Sequence, residues 1–276
     1  MAEGNKPKLG QTFLADPSAA EKTVAALGDV AQNVVIEIGP GKGALTELLV
    51  RRAGRLIAIE LDHRLAAELR YKYARHPNVE ILEGDVLRID FRTVLNRTIG
   101  PLNDLRPNKP SRARVIGNLP YYITSDILLR LFDFHDQFDE IVIMVQREVA
   151  ERIAAAPGSR DYGLLSATAQ LYCDVEKLFT LPPGAFSPPP KVHSSVLRLR
   201  VAPRFTALQV PPREFIDFLK TAFAMKRKTL LNNLKKKYAQ EKIRSALKES
   251  GVRGDVRAEA LSLDKSAMVF RSLVSF

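Results

Sequence analysis

The feature that most constrains this chain is the alternation, over its first half, of short apolar runs with amphipathic stretches. Val34 to Ile38, Arg55 to Ile59, Val79 to Glu83, Arg114 to Ile116 and Glu140 to Val145 have strand length and are rich in Val, Ile and Leu. Between them, Ala44 to Arg52 and His63 to Tyr73 repeat apolar residues at helical spacing. Strands that alternate with helices read as a parallel sheet covered by those helices, an α/β fold. Open sheets of this kind bind ligands beyond the carboxyl ends of their strands. The residues at which the apolar runs stop are therefore the first candidates for chemistry.

The first run stops at Gly39-Pro40-Gly41-Lys42-Gly43. Glycines after a strand let the backbone approach a ligand closely, and the N-terminus of the next helix favours an anionic group. The spacing is G-x-G-x-G, with Ala44 at the third position of the dinucleotide fingerprint, so a nicotinamide dinucleotide is disfavoured without being excluded. The second run stops at Glu60, about twenty residues on, where a carboxylate can accept both hydroxyls of a ribose; Asp62 reads as the cap of the following helix. The third is followed by Gly84-Asp85, where Asp85 suits the amino group of an adenine and is also a common turn residue, with Val86 offering backbone.

The fourth stop is the most specific. Asn118-Leu119-Pro120-Tyr121 follows Arg114 to Gly117 and combines an amide, a carbonyl beside an imino-acid ring, and an aromatic face. The exocyclic amine of a nucleobase is a poor nucleophile until acceptors on its hydrogens pull it towards tetrahedral geometry. The Asn118 side-chain oxygen and the Leu119 carbonyl could supply those acceptors. Pro120 restricts the residue before it and so presets that carbonyl, and Tyr121 could stack on the base. Taken alone the tetrapeptide is equally a turn into a helix; its place as the fourth of four strand ends favours the chemical reading.

Beyond the sheet, Arg97 to Arg112 is rich in Pro, Asn and Arg and reads as a surface loop or insertion. Val149 to Ala155 and Leu164 to Leu171 read as helices, and Asp174 to Phe179 and Ser194 to Val201 as strands at the far edge. Leu181 to Pro190 carries five prolines and cannot be helix or central strand. After Pro203 the pattern is helical, with Phe215, Phe218, Leu219 and Phe223 on one face, so a catalytic domain of residues 1–204 and a small helical domain of 205–276 are expected.

Charge follows this division. The net charge is +11, and Arg204 to Phe276 alone holds 16 Lys+Arg against 7 Asp+Glu. Lys226-Arg227-Lys228 and Lys235-Lys236-Lys237 recur at helical spacing, which favours a stripe facing phosphates over a merely solvated surface. No apolar stretch approaches membrane-spanning length and the start, MAEGNKPKLGQ, lacks an apolar signal core, so a cytoplasmic protein is expected. The single Cys173 forms no internal disulfide and reads as a packing residue. The four histidines (His63, His76, His135, His193) are scattered, and no metal is expected.

Taken in order, these segments resemble the ribosomal RNA adenine N6-dimethyltransferases, most closely the bacterial small-subunit (16S) type. The resemblance spans essentially the whole chain. It rests on Leu9 to Leu14, Glu37-Ile38-Gly39-Pro40-Gly41, Ile59 to Asp62, Gly84-Asp85, Gly117 to Tyr122, Gln146 to Ala150, Phe186 to Val192 and Arg227 to Leu230. It implies a Rossmann-like S-adenosylmethionine (SAM)-dependent methyltransferase sheet with a small C-terminal all-helical domain. It further implies a monomer acting on small-subunit rRNA or a precursor of the small subunit. By resemblance, Thr12 and Leu14 close over SAM, Gly39 lies against its methionine part, Glu60 binds the ribose, Asp85 meets the adenine and Asn118 touches both cofactor and target amine. Tyr121 and Phe186 become candidates to sandwich a flipped adenine, with a loop anchor as the alternative for Phe186. The family usually has Asn where this chain has Thr12, which leaves that position a weaker or main-chain contact.

Three rivals remain at this level. A large-subunit methyltransferase of the macrolide-resistance type shares the tetrapeptide, but the segments at Phe186 to Val192 and Arg227 to Leu230 favour the small-subunit type. A DNA adenine methyltransferase lacks support because no base-reading domain is evident. A non-catalytic RNA-binding assembly factor would not need the glycines, Glu60, Asp85 and Asn118 together.

Overall fold

The computed structural model describes residues 12–103 and 112–274. The strands are β1 (Phe13–Leu14), β2 (Val34–Ile38), β3 (Arg55–Glu60), β4 (Val79–Glu83), β5 (Ala113–Asn118), β6 (Phe138–Gln146), β7 (Cys173–Leu181), β8 (Phe186–Ser187) and β9 (Ser194–Val201). The helices are α1 (Pro17–Ala25), α2 (Thr46–Arg52), α3 (His63–Lys72), α4 (Phe91–Asn103), α5 (Thr124–Asp133), α6 (Arg147–Ile153), α7 (Leu164–Tyr172), α8 (Phe205–Leu208), α9 (Pro212–Ala222), α10 (Leu230–Leu234), α11 (Gln240–Glu249) and α12 (Leu263–Val274).

Seven strands form one sheet in the order β4-β3-β2-β5-β6-β9-β7. β2 pairs in parallel with β3 and β5, β3 with β4, and β5 with β6. β2 lies inside the sheet, between β3 and β5, and every one of its residues is buried, as a strand covered on both faces requires. The register brings the expected strand ends level: Ile38 lies opposite Ile59 on one side and Gly117 on the other, and Glu60 lies opposite Glu83. From β4 at the edge the chain returns past β3 and β2 to lay down β5 on the other side of β2, and such a switch in strand order leaves a crevice at the carboxyl edge.

Local sequence explains how the turns at this edge are held. Asp62 caps α3, accepting from the Arg64 and Leu65 N–H groups, and Asp16 caps α1 in the same way. A two-residue antiparallel ladder pairs β1 with β8, Leu14 opposite Phe186. The Ala15 and Asp16 N–H groups both donate to the Ala185 carbonyl, extending that clip.

Two expectations need correction. The segment expected to be a loop from Arg97 onward is helical as far as Asn103, as the last turns of α4; residues 104–111 of that segment lie outside the described residues. Its hydrophobic periodicity becomes visible only when it is joined to Phe91, Val94 and Leu95, all buried.

By Cα proximity the chain also divides differently from the contiguous 1–204 and 205–276 expected. One compact unit comprises the chain up to Arg147 with Lys177–Leu199; the other comprises Glu148–Glu176 with everything from Arg200. Amphipathic helices such as α6 and α7 carry no local signal of which core they cover. Within the second unit, the Phe215, Phe218 and Phe270 rings cluster with centroids 5.4 to 5.9 Å apart, and Pro212 starts α9 at a position where its missing N–H costs nothing.

Candidate active site

A single cavity at the carboxyl edge gathers most of the predicted residues. Thr12, Leu14, Gly39, Glu60, Asp85, Asn118, Leu119, Pro120 and Tyr121 all line it.

The glycine turn shapes one wall. Gly39 and Gly41 have φ of +67° and +56°, a region that side chains resist. At Gly41 a Cβ would stand 2.7 Å from the Phe13 ring, so glycine is needed for space as well as for conformation. Lys42 reaches over that ring, with Nζ 5.0 Å from its centroid.

Glu60 is buried at the end of β3, and its two carboxylate oxygens are aimed by main-chain donors. Oε2 accepts from the Gly41 N–H at 3.0 Å and Oε1 from the Asp62 N–H at 2.9 Å. Each oxygen keeps a further lone pair, the arrangement needed to accept a pair of vicinal hydroxyls. Asp85 is partly buried and divided between duties: Oδ1 accepts from the Leu87 N–H at 3.0 Å, and Oδ2 lies 3.7 Å from Arg88 Nε. Its turn role and its place on the cavity wall therefore coexist.

Asn118 stands at the end of β5. Its Nδ2 donates to the Thr12 carbonyl at 3.0 Å, and because a carbonyl can only accept, this contact fixes which way round the amide sits. Oδ1 is buried and has no partner among the described residues. A buried acceptor left open is costly unless something comes to it. Thr12 takes part here through its main chain, in keeping with the threonine at that position.

The rest of the tetrapeptide is fixed by the fold. The Leu119 N–H donates to the Met144 carbonyl at 3.0 Å, and the Pro120 carbonyl accepts from Thr124 Oγ1 at 3.0 Å. Tyr121 opens a short 3₁₀ turn, and its hydroxyl is 2.6 Å from Ser194 Oγ, which is wholly buried at the start of β9.

Phe186 departs from expectation. It is only 3% exposed, pairs through its backbone with Leu14, packs in the core beside Ala185 and Leu181, and is absent from the cavity wall. Its ring acts here as the loop anchor, because the β1–β8 ladder turns it inward.

Several wall residues carried no role in the sequence. Glu37 lies in the middle of β2, is 1% exposed and accepts from Thr46 Oγ1 at 2.8 Å. Burial, with Glu60 nearby and against the Thr46 hydrogen bond, pushes its carboxyl up to about 8. A glutamate inside an otherwise apolar strand was the available signal. Phe13, Lys42 and Tyr122 also line the cavity.

The basic residues are exposed, but they do not form one helical stripe. Lys226–Lys228 and Lys235–Lys237 occupy two turns on either side of the short α10. Thr229 caps α10 at its start, and the Asn233 amide bonds the Ala222 and Met225 carbonyls, so these turns are pinned to α9. Two of the six are already engaged: Lys226 Nζ donates to the Arg160 carbonyl at 2.9 Å, and Lys237 pairs with Asp217.

Among the described residues no group of three or more His, Cys, Asp or Glu is placed to hold a metal ion, and no helix is long and apolar enough to cross a membrane.

Comparison with known proteins bears on this arrangement. Residues 2–274 match the family model for ribosomal RNA adenine dimethylase. The chain is 60% identical over 268 residues to ribosomal RNA small subunit methyltransferase A of Koribacter versatilis, covering 97% of this chain and 94% of that one. It is 53% identical over 270 residues to the protein of that name from Acidobacterium capsulatum, covering 98% and 91%. Among solved structures, a dimethyladenosine transferase from Plasmodium falciparum superposes with a TM-score of 0.76 at 24% identity, over 93% of this chain and 95% of that one. The 23S rRNA methyltransferase ErmE does so with 0.67 at 24%, over 95% and 99%. At that identity the two structures speak for the fold.

Proposed function

The chain belongs to the ribosomal RNA adenine dimethylase family, and from that premise we propose that its cavity carries out SAM-dependent N6,N6-dimethylation of adjacent adenosines in 16S rRNA during small-subunit biogenesis. The observation that carries the reading is the open, buried Oδ1 of Asn118 at the end of β5. Two relatives at 53% and 60% identity that bear small-subunit names favour the small subunit over the large-subunit alternative.

The donor set fits the cofactor. Glu60 offers two main-chain-aligned oxygens for a ribose diol, Asp85 and Val86 border the place for an adenine, and the glycine turn leaves room for the methionine portion. Bound there, SAM supplies an electrophilic methyl group.

The chain's own residues do the rest by positioning. Asn118 Oδ1 accepts from the target amine, with the Leu119 carbonyl as the second acceptor, and together they turn the nitrogen lone pair out of the ring. Tyr121, tethered to Ser194, lies against the face of the flipped adenine. No strong base is required before transfer, because the methylated amine is acidic enough to lose its proton afterwards. The second methylation presents one remaining N–H, which Asn118 alone can hold. The exposed turns at 226–228 and 235–237 supply phosphate contacts. In this reading the protein acts as a monomer, without a metal, in the cytoplasm where ribosomal subunits are made.

The test is incubation with labelled SAM and, separately, small subunits lacking the modification, large subunits and duplex DNA. Label is expected in small-subunit rRNA as dimethyladenosine. Incorporation confined to large subunits or DNA would overturn the reading.

A further inference from the structure

Tyr122 is both a wall residue of the cavity and 62% exposed, a combination that places its ring on the rim. It belongs to the same 3₁₀ turn as Tyr121, Tyr121–Ile123. Successive residues of such a turn point about 120° apart, so the two rings cannot lie against one base. The Tyr121 hydroxyl is held by Ser194, whereas Tyr122 is largely open to solvent at the rim.

The segment that leads to the Ser194 partner of Tyr121 is suited to a polyanion with apolar faces. Ser194 is immediately preceded by the exposed Lys191-Val192-His193, with Val192 43% exposed. The His193 carbonyl accepts from the Arg147 N–H at 2.9 Å, which holds this segment in place. An exposed cation and apolar side chain in the segment that leads to Ser194, the partner of Tyr121, and the exposed ring of Tyr122 next in the chain match single-stranded nucleic acid, whose bases stack on aromatic faces while its phosphates meet lysine and arginine.

We propose that Tyr122 stacks on the nucleobase next to the adenine that enters the cavity. It fills the place of the lost neighbour and keeps the strand open while Tyr121 holds the target. This rests on the RNA-adenine reading of the cavity, and it assigns Tyr122 to the flanking base rather than to the target or the cofactor.

The test compares wild type, Tyr122→Phe and Tyr122→Ala on undermethylated small subunits, with SAM binding measured by calorimetry in parallel. For Tyr122→Ala, KM for the subunit is expected to rise about five- to 150-fold, the equivalent of ~1–3 kcal/mol of base stacking. SAM affinity should stay within about twofold of wild type, and Tyr122→Phe, which keeps the ring, should restore the KM. A second readout uses a target-loop RNA with 2-aminopurine beside the target adenosine: its fluorescence should be quenched by wild type and by Tyr122→Phe, but not by Tyr122→Ala. Unchanged KM and unchanged quenching in Tyr122→Ala would overturn the proposal, as would a loss of SAM binding, which would make Tyr122 part of the cofactor pocket. Failure of the wild type to methylate small-subunit rRNA would instead strike the underlying function.

Discussion

The Asn118 amide nitrogen donates to the Thr12 carbonyl, and that one bond leaves the Asn118 oxygen buried, oriented and open. The asparagine is thus already aimed, and the Thr12 carbonyl sets the aim. Asn118→Ala removes the acceptor without disturbing Glu60 or the glycine turn. Methyl transfer should fall on the order of 100-fold or more, while SAM affinity measured by calorimetry changes little. Full activity in the variant would end the assignment.

Ser194 positions Tyr121 rather than touching substrate. Ser194→Ala leaves the tyrosine hydroxyl without its 2.6 Å partner, at a cost of ~0.5–1.5 kcal/mol. Turnover should drop about three- to tenfold on that account, with Tm lowered by only a few degrees, and Ser194→Thr should recover part of the rate. Equal activity of Ser194→Ala and wild type would show that the tyrosine needs no tether.

Gly41→Ala combines a positive φ with a Cβ driven against the Phe13 ring. It is expected to destabilise the fold by ~1–3 kcal/mol and to weaken SAM binding, because Phe13 is flanked by two cavity residues. Gly184→Ala, where a Cβ meets nothing within 4 Å, is the control and should be silent in both measurements.

Glu37 makes stability depend on pH in a definite direction. The folded chain holds the Glu37 proton up to about 8, whereas an ordinary glutamate releases it near 4.5, so the folded state binds the extra proton between these values. Stability therefore falls as pH rises through that window and levels off above it. Glu37→Gln cannot titrate. In urea unfolding at a series of pH values, the variant should gain on wild type by ~2–5 kcal/mol between pH ~5 and ~8. Parallel curves for the two proteins would contradict the assignment.

The basic turns divide into engaged and available lysines. Lys228→Ala and Lys235→Ala should each reduce the salt slope of RNA binding by roughly one. Lys237→Ala should do less, because Lys237 already pairs with Asp217. Filter binding across a salt series would show equal slopes for all three if the pair plays no part.

Most of the site could be read in the sequence because its residues sit at strand ends, and strand ends follow from hydrophobic pattern alone. Gly39, Glu60, Asp85 and Asn118 reach one cavity by the shared register of four parallel strands. Phe186 could not be placed this way. Its burial depends on pairing with Leu14, a contact remote in sequence that no local periodicity encodes. Residues 226–228 and 235–237 show the converse: their spacing is helical, but the Thr229 cap starts a separate short helix between them. Glu37 was visible as an anomaly, yet only its contact with Thr46 and its closeness to Glu60 give the anomaly a meaning.

The ladder between β1 and β8 has a consequence in time. Translation delivers Thr12, Phe13 and Leu14 long before Phe186 and Ser187, the strand they pair with. A nascent chain emerging as far as β6 already has the glycine turn, Glu60 and Asn118, but nothing to hold the segment that orients the asparagine. The Asn118 amide is thus aimed only in the late stages of the protein's own synthesis, after the strands that carry the glycine turn and Glu60 have emerged.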